Sequence, residues 1–191
     1  MQYIKRRLQQ VKVPTIQGPR LHPLYEQRDE KMKHILTIDV KKCTGCRNCE
    51  LACSVEHYRL FNPSRSRIKV IKNENKGVIL PMVCLQCEEP LCKEACPAGA
   101  IRANSNGILY VDPDICIGCG SCVTACIYGG ISIDPVTKKA TKCDLCDGDP
   151  ACVKACEYGA IEYVEFSKSG LLSRKKGIEP VAKMHAVQEG V

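Results

Sequence analysis

The sequence predicts an α+β fold in which one strand–loop–helix–strand unit recurs along 191 residues. Three observations predict it. Sixteen cysteines fall into four short runs with none left over. A small tail with glycine before a closing isoleucine follows three of the runs: Cys96-Pro-Ala-Gly-Ala-Ile101, Cys126-Ile-Tyr-Gly-Gly-Ile131 and Cys156-Glu-Tyr-Gly-Ala-Ile161. Between the runs lie short stretches in which apolar and polar residues alternate, as they do in half-buried strands.

The elements follow in order. Ile35-Leu-Thr-Ile38 reads as a strand that Asp39 ends before run one. The fourth cysteine of each run is expected to start a short helix. Run one lacks the glycine tail, and thirty residues separate Cys53 from Cys84. That insert holds Arg65, Arg67, Lys69 and Lys72 and an apolar strand, Gly77-Val-Ile-Leu-Pro81, and is expected to form an added hairpin or a surface loop with no special role. Ile108–Val111 precedes Asp112-Pro113, a turn signal that feeds run three. Ile131-Ser-Ile-Asp134 and Ile161-Glu-Tyr-Val164 read as strands opened by the isoleucine of each tail. The glycine two residues before that isoleucine suits a helix end with positive φ.

The spacing within the runs specifies their chemistry. Cys43, Cys46, Cys49 and Cys53 form C-x2-C-x2-C-x3-C, and Cys116, Cys119, Cys122 and Cys126 repeat it. Cys84, Cys87, Cys92 and Cys96 form C-x2-C-x4-C-x3-C, and Cys143, Cys146, Cys152 and Cys156 form C-x2-C-x5-C-x3-C. A loop of this kind wraps one iron–sulfur cube with three thiolates, and the fourth cysteine, three residues on, ligates the other cube of a pair. Sixteen cysteines therefore imply four [4Fe–4S] clusters. Runs two and three are nineteen residues apart and runs three and four sixteen. Sequential and nested pairing of the runs both fit these spacings.

Other uses of cysteine fit less well. Cysteines so close within a tight loop are poorly placed to bridge one another. Structural zinc favours two C-x2-C hooks across a longer spacer, or Cys/His mixtures. Here His22, His34, His57 and His185 lie outside the runs at no ligand spacing. With no Trp and two Phe, a conventional core would be thin. The clusters themselves are expected to fill the interior, so that iron removal unfolds the protein.

The net charge of +7 is concentrated at the ends: residues 1–34 carry +5 and 167–191 carry +3, against −1 for 35–166. Oxidised cubes with four thiolates would each add about −2 to that middle segment. The ends read as basic docking arms for a larger partner. They lack the aromatic interleaving of single-strand binders, so nucleic acid is not expected. No stretch approaches the apolar length of a membrane span. Arg6 and Arg7 are followed by Gln9, Gln10, Lys12 and Pro14, which interrupt any export signal. A cytoplasmic protein is expected. No catalytic arrangement of side chains stands out, so the sequence reads as a non-catalytic electron conduit. Lys41, Lys42 and Lys142 precede first cysteines and Arg47 lies within a loop, at solvated loop edges or as charges that stabilise a reduced cluster.

Residues 35–166 resemble the four-cluster ferredoxin-type subunits that accompany molybdenum and tungsten oxidoreductases, hydrogenases and formate dehydrogenases. The order of the runs and Glu88-Glu89-Pro90 inside run two carry the likeness. The fourth run, Lys142-Cys-Asp-Leu-Cys-Asp-Gly-Asp-Pro-Ala-Cys-Val-Lys-Ala-Cys156, is similar to that of the ferredoxin subunits of tungsten aldehyde oxidoreductases and of the related class of benzoyl-coenzyme A reductase. The resemblance implies two bacterial-type 2[4Fe–4S] ferredoxin-like units, one nested in the other. The outer unit would comprise 35–77 and 135–166 and the inner unit 78–134, with arms at 1–34 and 167–191. It implies four ligand sets: Cys43, Cys46, Cys49 with Cys156; Cys143, Cys146, Cys152 with Cys53; Cys84, Cys87, Cys92 with Cys126; and Cys116, Cys119, Cys122 with Cys96. It also implies a larger catalytic subunit with a tungsten or molybdenum pterin cofactor, and a further redox subunit or ferredoxin; the alternative is the same role beside a hydrogenase, a formate or carbon monoxide dehydrogenase, or a dimethyl-sulfoxide-reductase-like enzyme. The sequence departs from the family pattern after the fourth cysteine, where Pro97 follows Cys96 but Ser54, Ile127 and Glu157 follow the others.

Overall fold

The computed structural model describes residues 34–165. The basic arms, at 1–34 and 167–191, lie outside these residues apart from His34. Four two-stranded antiparallel sheets frame the described residues. Strand β1 (His34–Ile38) pairs with the last strand, β8 (Ile161–Glu165), Ile35 opposite Val164 and Ile38 opposite Ile161. The first and last described segments are thus hydrogen-bonded to each other. The expected hairpin forms from β2 (Ile68–Asn73) and β3 (Val78–Val83), with Ile68 opposite Val83. Strands β4 (Ile101–Ala103) and β5 (Leu109–Val111) make a third pair, β6 (Ile131–Ile133) and β7 (Ala140–Lys142) a fourth.

Four helices carry cysteines, and they correct one expectation. Helix α1 (Asn48–Tyr58) contains Cys49 and Cys53; α2 (Leu91–Glu94) contains Cys92; α3 (Ser121–Thr124) contains Cys122; α4 (Ala151–Lys154) contains Cys152. Each helix begins just before the third cysteine of its run, not at the fourth. The reason lies in the residue that ends the loop. Arg47 and Gly120 are left-handed, with φ of 65° and 80°, and Pro90 and Pro150 have φ fixed by their rings. Each turns the backbone into a helix one residue before the third cysteine. In three runs the helix is a single turn and the fourth cysteine lies beyond it. Gly99, Gly129 and Gly159 then adopt φ of 63°, 61° and 57°, as the glycine tails require.

The core divides in two. A larger cluster gathers Ile35, Leu36, Ile68, Val70, Val83, Ile108, Leu145 and Ile161 around Cys49, Cys53, Cys84, Cys143 and Cys152. A smaller one holds Ile101, Cys122, Ile131 and Ala140. Cysteines sit in both cores, so packing and ligand placement depend on the same side chains. Arg65 bridges the halves: its guanidinium bonds Asp134 at 2.8–2.9 Å and stacks 3.7 Å from the Tyr58 ring centroid. Asp134 also accepts from Val136 and Thr137 N–H. Burial raises its carboxyl, but Arg65 and those two N–H groups outweigh it and hold Asp134 below the usual carboxylate range.

Candidate iron–sulfur centres

None of the sixteen cysteines forms a disulfide. The fold gathers them into four neighbourhoods. Cys43, Cys46, Cys49 and Cys156 line one cavity, closed by Val70, Pro81 and Ile161. Burial pushes the Cys43 thiol up, and Cys46 and Cys156 beside it add to the rise. Cys152 is pushed up to about 12 by burial and then by Cys53, Cys146 and Cys49. Cys146 is pushed up to about 11 by burial, then by Asp144 and Cys53. Burial pushes the Cys92 thiol up, with Cys84 and Cys126 as its cysteine neighbours. Burial likewise raises Cys122, followed by Cys116 and then by Cys96 and Cys119. In each neighbourhood the last cysteine of one run stands beside one or more of the first three of another.

The neighbourhoods are also joined in a row. Cys152 stands near Cys49, Cys143 near Cys84, and α2 packs on α3. At the two ends of this row are Cys46 and Cys119, the two exposed cysteines of the sixteen. Cys119 is lowered from its ordinary value by the Ser121 hydroxyl and backbone. Its environment is the opposite of that at Cys143, which burial holds far above its ordinary value.

The donor set suits iron–sulfur clusters. Thiolates that ligate iron are tuned and held by N–H groups aimed at sulfur. Backbone N–H groups of Ala100, Gly130 and Ala160 each donate to the fourth cysteine of the preceding run, Cys96, Cys126 and Cys156, at 3.3 Å. Arg67 N–H donates to Cys53 at 3.2 Å. Gln86, Leu145 and Ala140 N–H groups donate to Cys84, Cys143 and Cys116 at 3.4 Å. When bound, such clusters supply one-electron transfer.

Several residues around the thiols had no signal in their own run. Gln86 is buried, and its side-chain amide bonds Leu109 N–H, Leu109 C=O and Cys143 C=O at 2.7–3.0 Å. It ties run two to run four through β5. Lys142 also corrects the solvated-edge reading: it is 2% exposed, and its ammonium donates to Leu109 C=O at 2.7 Å and partly offsets the rise of the Cys92 thiol. Lys41, Lys42 and Arg47 are exposed as that reading expected. Glu50 is 4% exposed beside Cys49 and accepts from Val70 N–H at 2.7 Å. Cys49 is pushed up to about 12 by burial and then by this carboxylate.

His57 stands out among the histidines. Its Nε2 lies 3.7 Å from Cys146 Sγ and 3.5 Å from Asp144 Oδ1. Burial lowers its pKa and Arg67 adds to the effect, while Asp144 opposes it. The spacing signal was present within α1: Cys49, Cys53 and His57 recur every four residues, one stripe of the helix.

Fold, spacing and sulfur-directed N–H groups define a ferredoxin-type iron–sulfur protein, and this protein belongs to the 4Fe–4S dicluster family. Profiles described as 4Fe-4S dicluster domains match residues 75–166 and 42–101. Among curated relatives, the putative electron transport protein YsaA of Escherichia coli is 38% identical over 116 residues, 57% of this chain and 72% of the relative. The B subunit of tetrathionate reductase from Archaeoglobus fulgidus is 34% identical over 111 residues, 58% of this chain and 54% of the relative. The B subunit of the anaerobic dimethyl sulfoxide reductase of Escherichia coli is 36% identical over 120 residues, 56% of this chain and 58% of the relative. The chain spans 37–58% of the length of the reductase B subunits it matches. A solved chain of the BamBC complex of benzoyl coenzyme A reductase with 1,5-dienoyl-CoA aligns over 80% of this chain and 96% of its own, at 26% identity and a TM-score of 0.44. Among the described residues no helix is long and apolar enough to cross a membrane.

Proposed function

We propose that this chain is the electron-transfer subunit of an anaerobic oxidoreductase. In this reading it holds four [4Fe–4S] clusters and passes single electrons between a catalytic subunit and a further redox subunit or ferredoxin. The observation that carries the reading is the row of four thiol neighbourhoods with an exposed cysteine, Cys46 or Cys119, at either end. An electron path needs closely spaced carriers and an access point at each terminus.

The ligand sets we infer are Cys43, Cys46, Cys49 with Cys156; Cys143, Cys146, Cys152 with Cys53; Cys84, Cys87, Cys92 with Cys126; and Cys116, Cys119, Cys122 with Cys96. The neighbourhoods above support these sets, and the place of Cys87 follows from its spacing within run two. A nested arrangement, with 78–134 inside a unit made of 35–77 and 135–166, is supported by the β1–β8 pairing, which draws the segments flanking runs one and four together. The protein's own residues would position the thiolates, exclude water from Cys143 and Cys152, and direct N–H groups at sulfur.

Relatives named as B subunits of tetrathionate, selenate and dimethyl sulfoxide reductases favour a catalytic subunit of the dimethyl-sulfoxide-reductase kind with molybdenum. The tungsten aldehyde oxidoreductase or benzoyl-coenzyme A reductase kind rests on the fourth run alone. A cytoplasmic location and docking by the basic arms belong to the same proposal. Anaerobic capture of the protein from its native source, with metal analysis of what accompanies it, tests the reading. A molybdenum-containing partner supports it, and a tungsten-containing partner moves it to the second kind. A protein that is captured loaded with iron but alone overturns the subunit assignment.

A further inference from the structure

We propose that His57 is a redox-tuning residue: its Nε2–H donates to Cys146 Sγ and raises the potential of the cluster held by Cys53, Cys143, Cys146 and Cys152 above that of its neighbour at Cys43, Cys46, Cys49 and Cys156. The inference rests on the ligand sets proposed above.

The geometry fixes which atom donates. Nε2 faces Cys146 Sγ at 3.7 Å and Asp144 Oδ1 at 3.5 Å. A thiolate and a carboxylate both accept and neither donates, so the nitrogen between them carries the hydrogen. Asp144 is held in turn. Its Oδ2 accepts from the Arg67 guanidinium and its Oδ1 from Cys146 N–H at 3.2 Å. Arg67 N–H donates to Cys53 Sγ at 3.2 Å, so the residue that anchors Asp144 also bonds a second sulfur of the same set. Leu145 N–H reaches a third, Cys143, at 3.4 Å. Hydrogen bonds to ligand sulfur stabilise the more negative, reduced cluster and raise its potential.

The neighbouring set has the opposite bias. Glu50 is buried against Cys49, fixed by Val70 N–H at 2.7 Å. Arg47 Nε lies 4.0 Å away and half exposed, and the Lys69 ammonium also acts on this carboxylate. A buried carboxylate beside a ligand thiolate disfavours adding an electron. Helix α1 carries both biases. Glu50 sits in its first turn, next to Cys49, and His57 in its last, with Cys53 between them. Runs two, three and four end their helices after one turn and have no equivalent extension. The long helix after run one delivers the donor that those runs lack.

The test is an anaerobic redox titration of the loaded full-length protein, followed by electron paramagnetic resonance, for wild type, His57→Phe, His57→Gln and Glu50→Gln. Cys146→Ser assigns the signal, since a serine oxygen ligand alters the spectrum of the cluster it binds. The expected result is that His57→Phe lowers the potential of one cluster and leaves three in place. That cluster is the one Cys146→Ser alters, and His57→Gln, which keeps an N–H donor, recovers most of the shift. Glu50→Gln raises the potential of a different cluster. Four unchanged potentials in fully loaded His57→Phe overturn the inference. So does a shift in a cluster that Cys146→Ser leaves alone, an equal shift in His57→Gln, or loss of one cluster's iron in His57→Phe. Wild-type protein with fewer than four clusters signals failure of the ligand reading instead, and is seen before any variant is made.

Discussion

Runs one and three share the spacing C-x2-C-x2-C-x3-C and part company after their last cysteine. In run three, α3 stops after one turn, Gly129 swings the backbone left-handed, and Gly130 N–H returns to Cys126 Sγ at 3.3 Å. In run one no glycine intervenes. Helix α1 continues to Tyr58, the backbone loops away through Pro63–Arg65, and Arg67 N–H returns to Cys53 Sγ at 3.2 Å. The constant is an N–H group on the last sulfur. The path that delivers it varies from four residues to fourteen. The longer path leaves room for side chains with other tasks: His57 at Cys146, Arg65 at Asp134, Arg67 at Asp144.

The largest expected effect breaks the comparison at its root. Chelating the iron should unfold the protein, because cluster binding energy is folding energy when cysteines are part of the core. Far-UV circular dichroism should collapse. On partial iron loss, amide protection should fall first around Ile101 and Ile131, where the apolar core is smallest, and last around Ile35 and Ile68.

Gly130→Ala should come next. A Cβ there would sit 2.6 Å from Cys84 Cα and 2.9 Å from Cys84 N, backbone atoms that cannot swing aside. The substitution would displace the first cysteine of run two, with a loss of about four irons per chain if that cluster fails to assemble. Gly99→Ala meets nothing within 4 Å and is opposed only by its positive φ. Its expected effect is about 1 kcal/mol with iron retained. Iron content and denaturant midpoints of the two variants separate steric from conformational roles.

Asp134→Asn probes the bridge that the longer path provides. Breaking a buried pair that joins the halves should destabilise by about 3 kcal/mol, read from the denaturant midpoint at neutral pH. The sign with pH follows from the depressed carboxyl. Its contribution is complete above the ordinary carboxylate range and is lost as pH falls through the depressed folded value, so the gap between wild type and variant should begin to close only below about pH 4. Lys42→Ala removes an exposed pair, 3.5 Å from Glu162, and should change stability by less than about 1 kcal/mol.

Much of this was legible in the residues because cysteine spacing and glycine are local signals. The strands at Ile35, Leu109, Ile131 and Ile161, the hairpin after run one and the three glycine turns all follow from patterns within about six residues. What was hidden is long-range. Strand β7, Ala140-Thr-Lys142, exists because β6 lies opposite it, and no alternation announces it. Lys142 reads as a surface lysine until Leu109, thirty-three residues away, supplies its carbonyl. His57 stands eighty-nine residues from Cys146. Spacing rules look for ligands beside a run and not for donors that reach one from a distant helix. The helix starts were misplaced for a local reason: the left-handed or proline residue before each third cysteine fixes where the helix begins, and the expectation followed the ligands instead.

If all sixteen cysteines serve four clusters strung through both halves, iron and acid-labile sulfide counted together on anaerobically purified protein, with the spectrum of its reduced form, will show it most directly. About sixteen of each per chain and a broad spectrum of magnetically interacting clusters are expected. About eight of each with isolated signals, or zinc in place of iron, would contradict the four-cluster assignment.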